Sequence, residues 1–203
     1  MSYSVINPQN PLILASASPR RRELLNRIQL PFRSVPSRVN EDLGMAEPER
    51  LCRFLAEAKA KEVQVRTGGL WTLGADTLVV IGRDIMGKPG DAAEARHMLT
   101  RLAGKEHRVI TGLCVRHPGG GTAFCEAVST RVWFKALTDR EIEAYLATGE
   151  PFGKAGSYAI QGIGSFMVEA ISGSYSNVVG LPVCSLIKGL CATGALAGFP
   201  MAP

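Results

Sequence analysis

The chain has 203 residues, 46% of them hydrophobic and 20% charged, with a formal charge of +5. That length suits one domain, or two small lobes, with a sizeable buried core. The charge is mild and comes without a Lys/Arg run interleaved with aromatics, so small anions are expected as partners and nucleic acid is not.

Five cysteines (Cys52, Cys114, Cys125, Cys184, Cys191) are scattered without a CxxC pair, and the three histidines stand at no zinc-ligand spacing from them. Reduced thiols in a cytoplasmic protein account for this usage. The N-terminus lacks the basic region of a signal peptide, and the Gly/Ala-rich tail is broken by Lys188 and late prolines, so no membrane segment is expected. Residues 1–10 read as a flexible leader, 11–193 as a single domain and 194–203 as a Gly/Ala/Pro tail.

Residues 11–16 predict a short apolar strand. Ser18 and Pro19 then open a helix, Ser as N-cap and Pro at the first helical position, with Leu24, Leu25 and Ile28 on one apolar face. The first turn carries Arg20, Arg21 and Arg22, although the helix dipole and unbonded N–H groups already present positive charge there. Each misplaced cation costs about a few tenths of a kcal/mol. An external anion such as phosphate would offset this; otherwise the arginines splay into solvent.

Residues 31–35 predict a second strand, followed by a polar loop holding Asn40, Glu41 and Asp42. Acids in such a loop are solvated or face a metal. Residues 49–66 place Leu51, Phe54, Leu55 and Ala58 at helical spacing. Lys59 and Lys61 in that helix read as ordinary helix lysines.

The stretch Leu73-Gly-Ala-Asp-Thr-Leu-Val-Val-Ile81 is an apolar run of the kind that forms a buried strand, with a carboxylate, Asp76, in its middle. Such a charge is costly without a cation, a metal or a set of hydrogen bonds. Lys88, beyond the predicted turn at Gly82 and Arg83, is placed to return beside it. Capping-box spacing at Asp91/Glu94 and at Thr138/Glu141 starts two further helices. Residues 107–116 and 122–134 predict strands of one antiparallel hairpin. The Gly-dense block 155–162 surrounds one amide, Gln161; residues 163–171 predict another strand and residues 183–190 a last helix. Parallel-capable βα units mixed with hairpins imply a mixed α/β domain.

There is no Walker loop, dinucleotide fingerprint, GxSxG elbow or Cys/His nucleophile pair. A cationic helix start and a strand carboxylate without a nucleophile point to metal-assisted attack of water on a phosphoanhydride. Asp76 suits either metal ligation or acceptance of the proton from water, and Gln161 has the chemistry to read a base edge.

Leu14-Ala-Ser-Ala-Ser-Pro-Arg-Arg21, Gly74-Ala-Asp-Thr77, Gly87-Lys-Pro89, the run from His107 to Thr111-Gly112, and Ala155-Gly-Ser-Tyr-Ala-Ile-Gln-Gly162 together resemble the Maf family of nucleoside triphosphate pyrophosphatases, from about Leu12 to Leu190. The resemblance implies an ITPase-like mixed α/β fold, with an elongated twisted sheet, flanking helices and two lobes around a deep cleft. It also implies Mg²⁺- or Mn²⁺-dependent cleavage of a nucleoside triphosphate into monophosphate and pyrophosphate, and a possible homodimer. Asp76 takes the proton-acceptor position; Arg20, Thr77 and Gln161 match positions that set nucleotide specificity; Ser16, Arg21, Glu41, Lys59 and Lys88 match polar positions for phosphate or metal.

Gln161 with Gly162 is similar to the dTTP/UTP branch, and another branch, favouring 7-methyl-GTP, carries Glu-Gly there. Ala159 and Ser157 stand where small residues, often glycine, are usual. Two rival readings stand beside this: a nucleotide-binding regulator of septum formation, which is of a different class, and a general phosphatase, separable by its release of orthophosphate.

Overall fold

The computed structural model describes residues 4–41 and 47–201. The chain forms two compact units. Of the described residues, those within 1–76, 111–128 and 180–203 make the first, and residues 77–110 and 129–179 the second.

Among the described residues seven strands form one sheet: β1 (Leu12–Leu14), β2 (Phe32–Ser34), β3 (Thr72–Ile81), β4 (Asp84–Met86), β5 (Glu106–Arg116), β6 (Thr122–Phe134) and β7 (Val168–Ser172). Their order is β2-β1-β3-β5-β6-β7, with β4 beside β3. β1 runs parallel to both β2 (Leu12↔Phe32) and β3 (Ile13↔Thr72). Parallel neighbours need long crossovers, supplied by helices α1 (Pro19–Arg27) and α2 (Pro48–Thr67). The mixed α/β class expected from the sequence is the one observed.

In the first unit α2 packs closely against β3 and β5. Its buried residues are Leu51, Cys52, Leu55, Ala56, Lys59, Ala60, Val63 and Gln64. Phe54, expected on that face, is instead 47% exposed. The reason is the closeness of α2 to the sheet. A methyl group at Gly74 of β3 would overlap the carbonyl oxygen of Ala56 and stand 2.8 Å from the nitrogen of Ala60. One at Gly112 of β5 would overlap the Cys52 carbonyl and stand 2.7 Å from the nitrogen of Arg53. Only a face of small residues fits such an approach, and a phenyl ring there would hold the helix away.

In residues 4–10, read as a leader, two positions engage this unit. Ile6 is buried, its N–H donates to Ala195 O at 2.8 Å, and Trp71 Nε1 donates to Ser4 O at 3.0 Å. The tail is likewise engaged, with Ala195 and Leu196 buried after helix α6 (Val183–Ala192).

In the second unit both expected N-caps form, one of them as a complete capping box. Asp91 accepts from Glu94 N at 2.8 Å ahead of α3 (Ala92–Leu102), and Glu94 Oε2 accepts from Gly90 N at 2.7 Å. Ahead of α4 (Asp139–Ala147) the box is reciprocal: Thr138 Oγ1 accepts from Glu141 N, and Glu141 Oε2 accepts from Thr138 N. Met98, Leu99 and Leu102 of α3 pack with Val109, Phe134, Ile142, Tyr145 and Tyr158.

Residues 163–171, expected as one strand, divide into a 3₁₀ turn (Ile163–Met167) and β7. The N–H groups of Ile163 and Gly164 bond to the Glu150 carboxylate and so curl the backbone before the sheet begins. Between β7 and α6 lies a short helix, α5 (Tyr175–Val179), whose buried Asn177 donates to Val109 O at 3.0 Å and to Thr130 Oγ1 at 2.9 Å.

Two outcomes follow for stability. Gly74→Ala should cost about 2–3 kcal/mol by overpacking, read as a Tm lower by roughly 5–10 °C; an unchanged Tm would contradict the close approach of α2. His107 is buried with Nε2 2.8 Å from Tyr158 Oη, and burial pushes its pKa from 6.5 down to about 4. Between those values the unfolded chain binds a proton that the folded chain refuses. Stability is therefore complete above pH 6.5 and falls as pH drops towards 4, by roughly 3 kcal/mol in all. Urea midpoints across that window should fall in the parent protein and be flatter in His107→Gln.

Candidate active site

Where β3 meets α2 the first unit gathers a charge cluster of two buried groups, Lys59 and Asp76, and the exposed Glu41. Lys59 and Asp76 are each only 6% exposed. Lys59 Nζ donates to Asp76 Oδ1 at 2.6 Å and to Glu41 Oε1 at 2.6 Å. The helix places that ammonium: Lys59 lies one turn after Leu55 and one turn before Val63, on the buried stripe, and Gly74 lets this stretch reach β3. An unpaired ammonium there would face a large desolvation penalty, and two carboxylates on one lysine offset it.

The turn from β1 into α1 lies in the same unit. Ser18 caps α1, its side chain accepting from Arg21 N at 3.5 Å. Arg21 is half-buried; Nη1 donates to Ser16 Oγ at 3.1 Å and Nε to Gly180 O at 2.8 Å. Burial holds its guanidinium below the usual arginine range, against the opposing charges of Asp76 and Glu41, with Arg20 adding to the depression. The buried Ser16 is fixed in turn, its carbonyl accepting from Ser34 Oγ at 2.6 Å. An external anion was expected to offset the arginines of α1; for Arg21 the protein itself supplies acceptors and nearby carboxylates. Arg20 is half-buried and Arg22 exposed.

The structure thus brings Ser16, Arg21, Glu41, Lys59 and Asp76 into one unit. Asp42 lies outside the described residues. Thr77, Lys88 and Gln161 belong to the second unit. Thr77 follows Asp76 on β3 and is half-buried. Lys88 is exposed just past β4, whose antiparallel register with β3 (Val79↔Met86) would, two residues further on, set position 88 opposite 77. Gln161 is half-buried in the turn after Tyr158. Upstream, Gly156 and Ser157 both hold positive φ, +67° and +61°, and a methyl at Gly156 would stand 2.9 Å from Val79. Ser157 carries that backbone with its hydroxyl on Met98 Sδ at 3.1 Å.

Sequence reasoning from spacing alone missed the weight of Lys59. The available signal was its i+4 relation to both Leu55 and Val63, a charge inside the apolar stripe once Phe54 is left off it. Among the described residues no group of three or more His, Cys, Asp or Glu side chains could hold a metal ion. Two carboxylates on one cation are nonetheless a hard-oxygen donor set. They suit Mg²⁺ or Mn²⁺, which use one or two carboxylates together with substrate phosphates. No helix among the described residues is long and apolar enough to cross a membrane.

Fold and cluster together define a mixed α/β protein with a lysine–dicarboxylate centre beside a capped, arginine-bearing helix start. The family model described as Maf-like protein matches residues 11–193, and the chain belongs to that family. A dTTP/UTP pyrophosphatase of Geotalea uraniireducens (strain Rf4) is 50% identical over 186 residues, covering 91% of this chain and 96% of that protein. One from Thermococcus onnurineus (strain NA1) is 51% identical over 172 residues, covering 85% and 92%. A solved Nucleoside-triphosphatase / dITP/XTP pyrophosphatase of Mycobacterium abscessus aligns with 68% of this chain and 95% of its own, with a TM-score of 0.43 at 16% identity.

Lys59→Met should cost about 3–5 kcal/mol, because it leaves carboxylate charge buried without its partner. Adding Asp76→Asn to Lys59→Met should recover much of that loss. Chemical denaturation of the two single variants and the double variant gives the coupling, and simple additivity would show that the pair does not interact.

Proposed function

We propose that this protein is a nucleoside triphosphate pyrophosphatase that hydrolyses dTTP and UTP, and modified pyrimidine triphosphates, to the monophosphate and pyrophosphate, clearing them from the nucleotide pool. The observation that carries this reading is the buried Lys59 shared by Asp76 and Glu41. The names of the relatives support the substrate class.

In this mechanism a water oxygen attacks the α-phosphorus, the bond from that phosphorus to the bridging oxygen breaks, and pyrophosphate leaves. Asp76 accepts the proton of the attacking water. Its Oδ1 is engaged by Lys59, so Oδ2 takes that role. Lys59 holds the carboxylate in place, and its charge, with that of Arg21, favours the developing negative charge on the phosphates. Ser16 fixes the Arg21 guanidinium through its hydroxyl. Glu41 and Asp76 would hold Mg²⁺ or Mn²⁺, which when bound neutralises phosphate charge and polarises the phosphoryl oxygen. Lys88 is assigned to the phosphates, and Arg20, Thr77 and Gln161 to selection of the nucleotide. A non-enzymatic regulator of cell division is not favoured, since the relatives carry an enzymatic name.

Purified protein with Mg²⁺ or Mn²⁺ should release pyrophosphate, and no orthophosphate, from dTTP and UTP in preference to CTP, dITP and 7-methyl-GTP. Asp76→Asn should lower kcat/KM by roughly 100- to 10,000-fold while circular dichroism stays unchanged. Orthophosphate as product, or normal turnover by folded Asp76→Asn, would overturn the assignment.

A further inference from the structure

One carboxylate in the second unit takes no part in the mechanism above, yet collects an unusual set of donors. Glu150 Oε1 accepts from the Tyr145 hydroxyl at 2.8 Å and from Gly164 N at 2.9 Å, while Oε2 accepts from Ile163 N at 2.9 Å. The same Tyr145 oxygen accepts from Ala159 N at 3.3 Å. Ala159 lies two residues before Gln161 and Ile163 two residues after it, so one hydroxyl–carboxylate pair ties down both flanks of the turn. Within the turn Gly162 N donates to Ala159 O at 3.3 Å.

The arrangement needs an acceptor-only group. Three donors converge on Glu150, and a carboxylate offers about four lone-pair positions whereas an amide would turn an N–H₂ towards other N–H groups. Burial raises the Glu150 pKa, but the Gly164 N–H, the Tyr145 hydroxyl, the Ile163 N–H and the charge of Lys154 together hold it below the usual carboxylate range. Lys154 also donates to the Glu150 carbonyl oxygen. The fit is tight at Gly162, where a methyl would overlap Glu150 Oε2 and stand 2.7 Å from its carboxyl carbon. Tyr145 is itself locked, 2% exposed in the core beside α3.

We propose that Glu150, held by Tyr145, is a positioning residue for nucleotide selection, fixing the turn that presents Gln161. This rests on the reading of Gln161 as a base-selecting side chain given above. Loss of the tie lets the amide wander by an ångström-scale displacement, which selection between similar bases does not tolerate.

The test measures kcat and KM for dTTP and for dGTP in the parent protein, Glu150→Gln, Tyr145→Phe, Gly162→Ala, Gln161→Ala and the Glu150→Gln/Gln161→Ala double variant. The expected result is a fall of roughly 10-fold in the dTTP-over-dGTP ratio of kcat/KM for Glu150→Gln. It should fall in the same direction for Tyr145→Phe, which keeps the buried ring, and for Gly162→Ala, which pushes the carboxylate away without altering it. The double variant should lose no more selectivity than Gln161→Ala alone. A merely destabilised protein would lose activity on both substrates equally and leave the ratio intact. An unchanged ratio in Tyr145→Phe, or additive losses in the double variant, would overturn the proposal. A parent protein with no preference for dTTP, or a Gln161→Ala variant that keeps it, would instead defeat the underlying reading of Gln161, and the proposal with it.

Discussion

A lysine ammonium held out of water between two carboxylates is the constraint on which the first unit depends. Lys59 is tolerated on the buried face of α2 only because Asp76 and Glu41 both accept from it at 2.6 Å. Asp76, in turn, can stand in the middle of an apolar strand only because that ammonium arrives. The meeting requires the helix to lie almost against the strand, hence Gly74 and Gly112 beneath it and Cys52, Ala56 and Ala60 on its contact face. Replacing any one of these small residues would move the ammonium before it touched the chemistry. The packing of the unit and the placement of its buried ion pair are thus set by the same close approach of helix and strand.

The second unit holds down a turn that carries a single amide, Gln161. Its means are backbone conformations that side chains rarely adopt, at Gly156 and Ser157, followed by the Tyr145–Glu150 pair that gathers N–H groups on both sides of Gln161. Rigid support comes from the aromatic cluster of His107, Phe134 and Tyr158, with ring centroids 4.7–5.5 Å apart. The burial that makes this cluster a firm base also keeps His107 uncharged. Firm placement at neutral pH is therefore coupled to weakness in acid.

Local signals in the sequence carried much of the fold. The caps at Ser18, Asp91 and Thr138 form with the expected side-chain bonds, because capping depends on residues three apart and little else. Residues 163–171 misled because their apolar content suits a strand, while the deciding acceptor, Glu150, sits more than ten residues upstream. The backbone bond from Ile6 to Ala195 had no local signal, since its partners lie nearly two hundred residues apart. Within the site, Asp76 stood out as a charge in an apolar run. Lys59 did not, since a lysine in the C-terminal half of a helix is ordinary until the helix face is known. Phe54 pulled the expected face round by a residue, and only the depth of approach at Gly74 shows why it lies outside. The role of Glu150 had no local signal: its donors come from residues up to fourteen positions away and meet only in the fold.

A crystal structure with a non-hydrolysable α,β-bridged dTTP analogue and Mg²⁺ bears most directly on the central assignment. The α-phosphate should lie beside Asp76, with the phosphate chain against Lys59 and Arg21. A triphosphate bound with its α-phosphate remote from Asp76 would leave the lysine–dicarboxylate cluster as a structural ion pair and place the chemistry elsewhere.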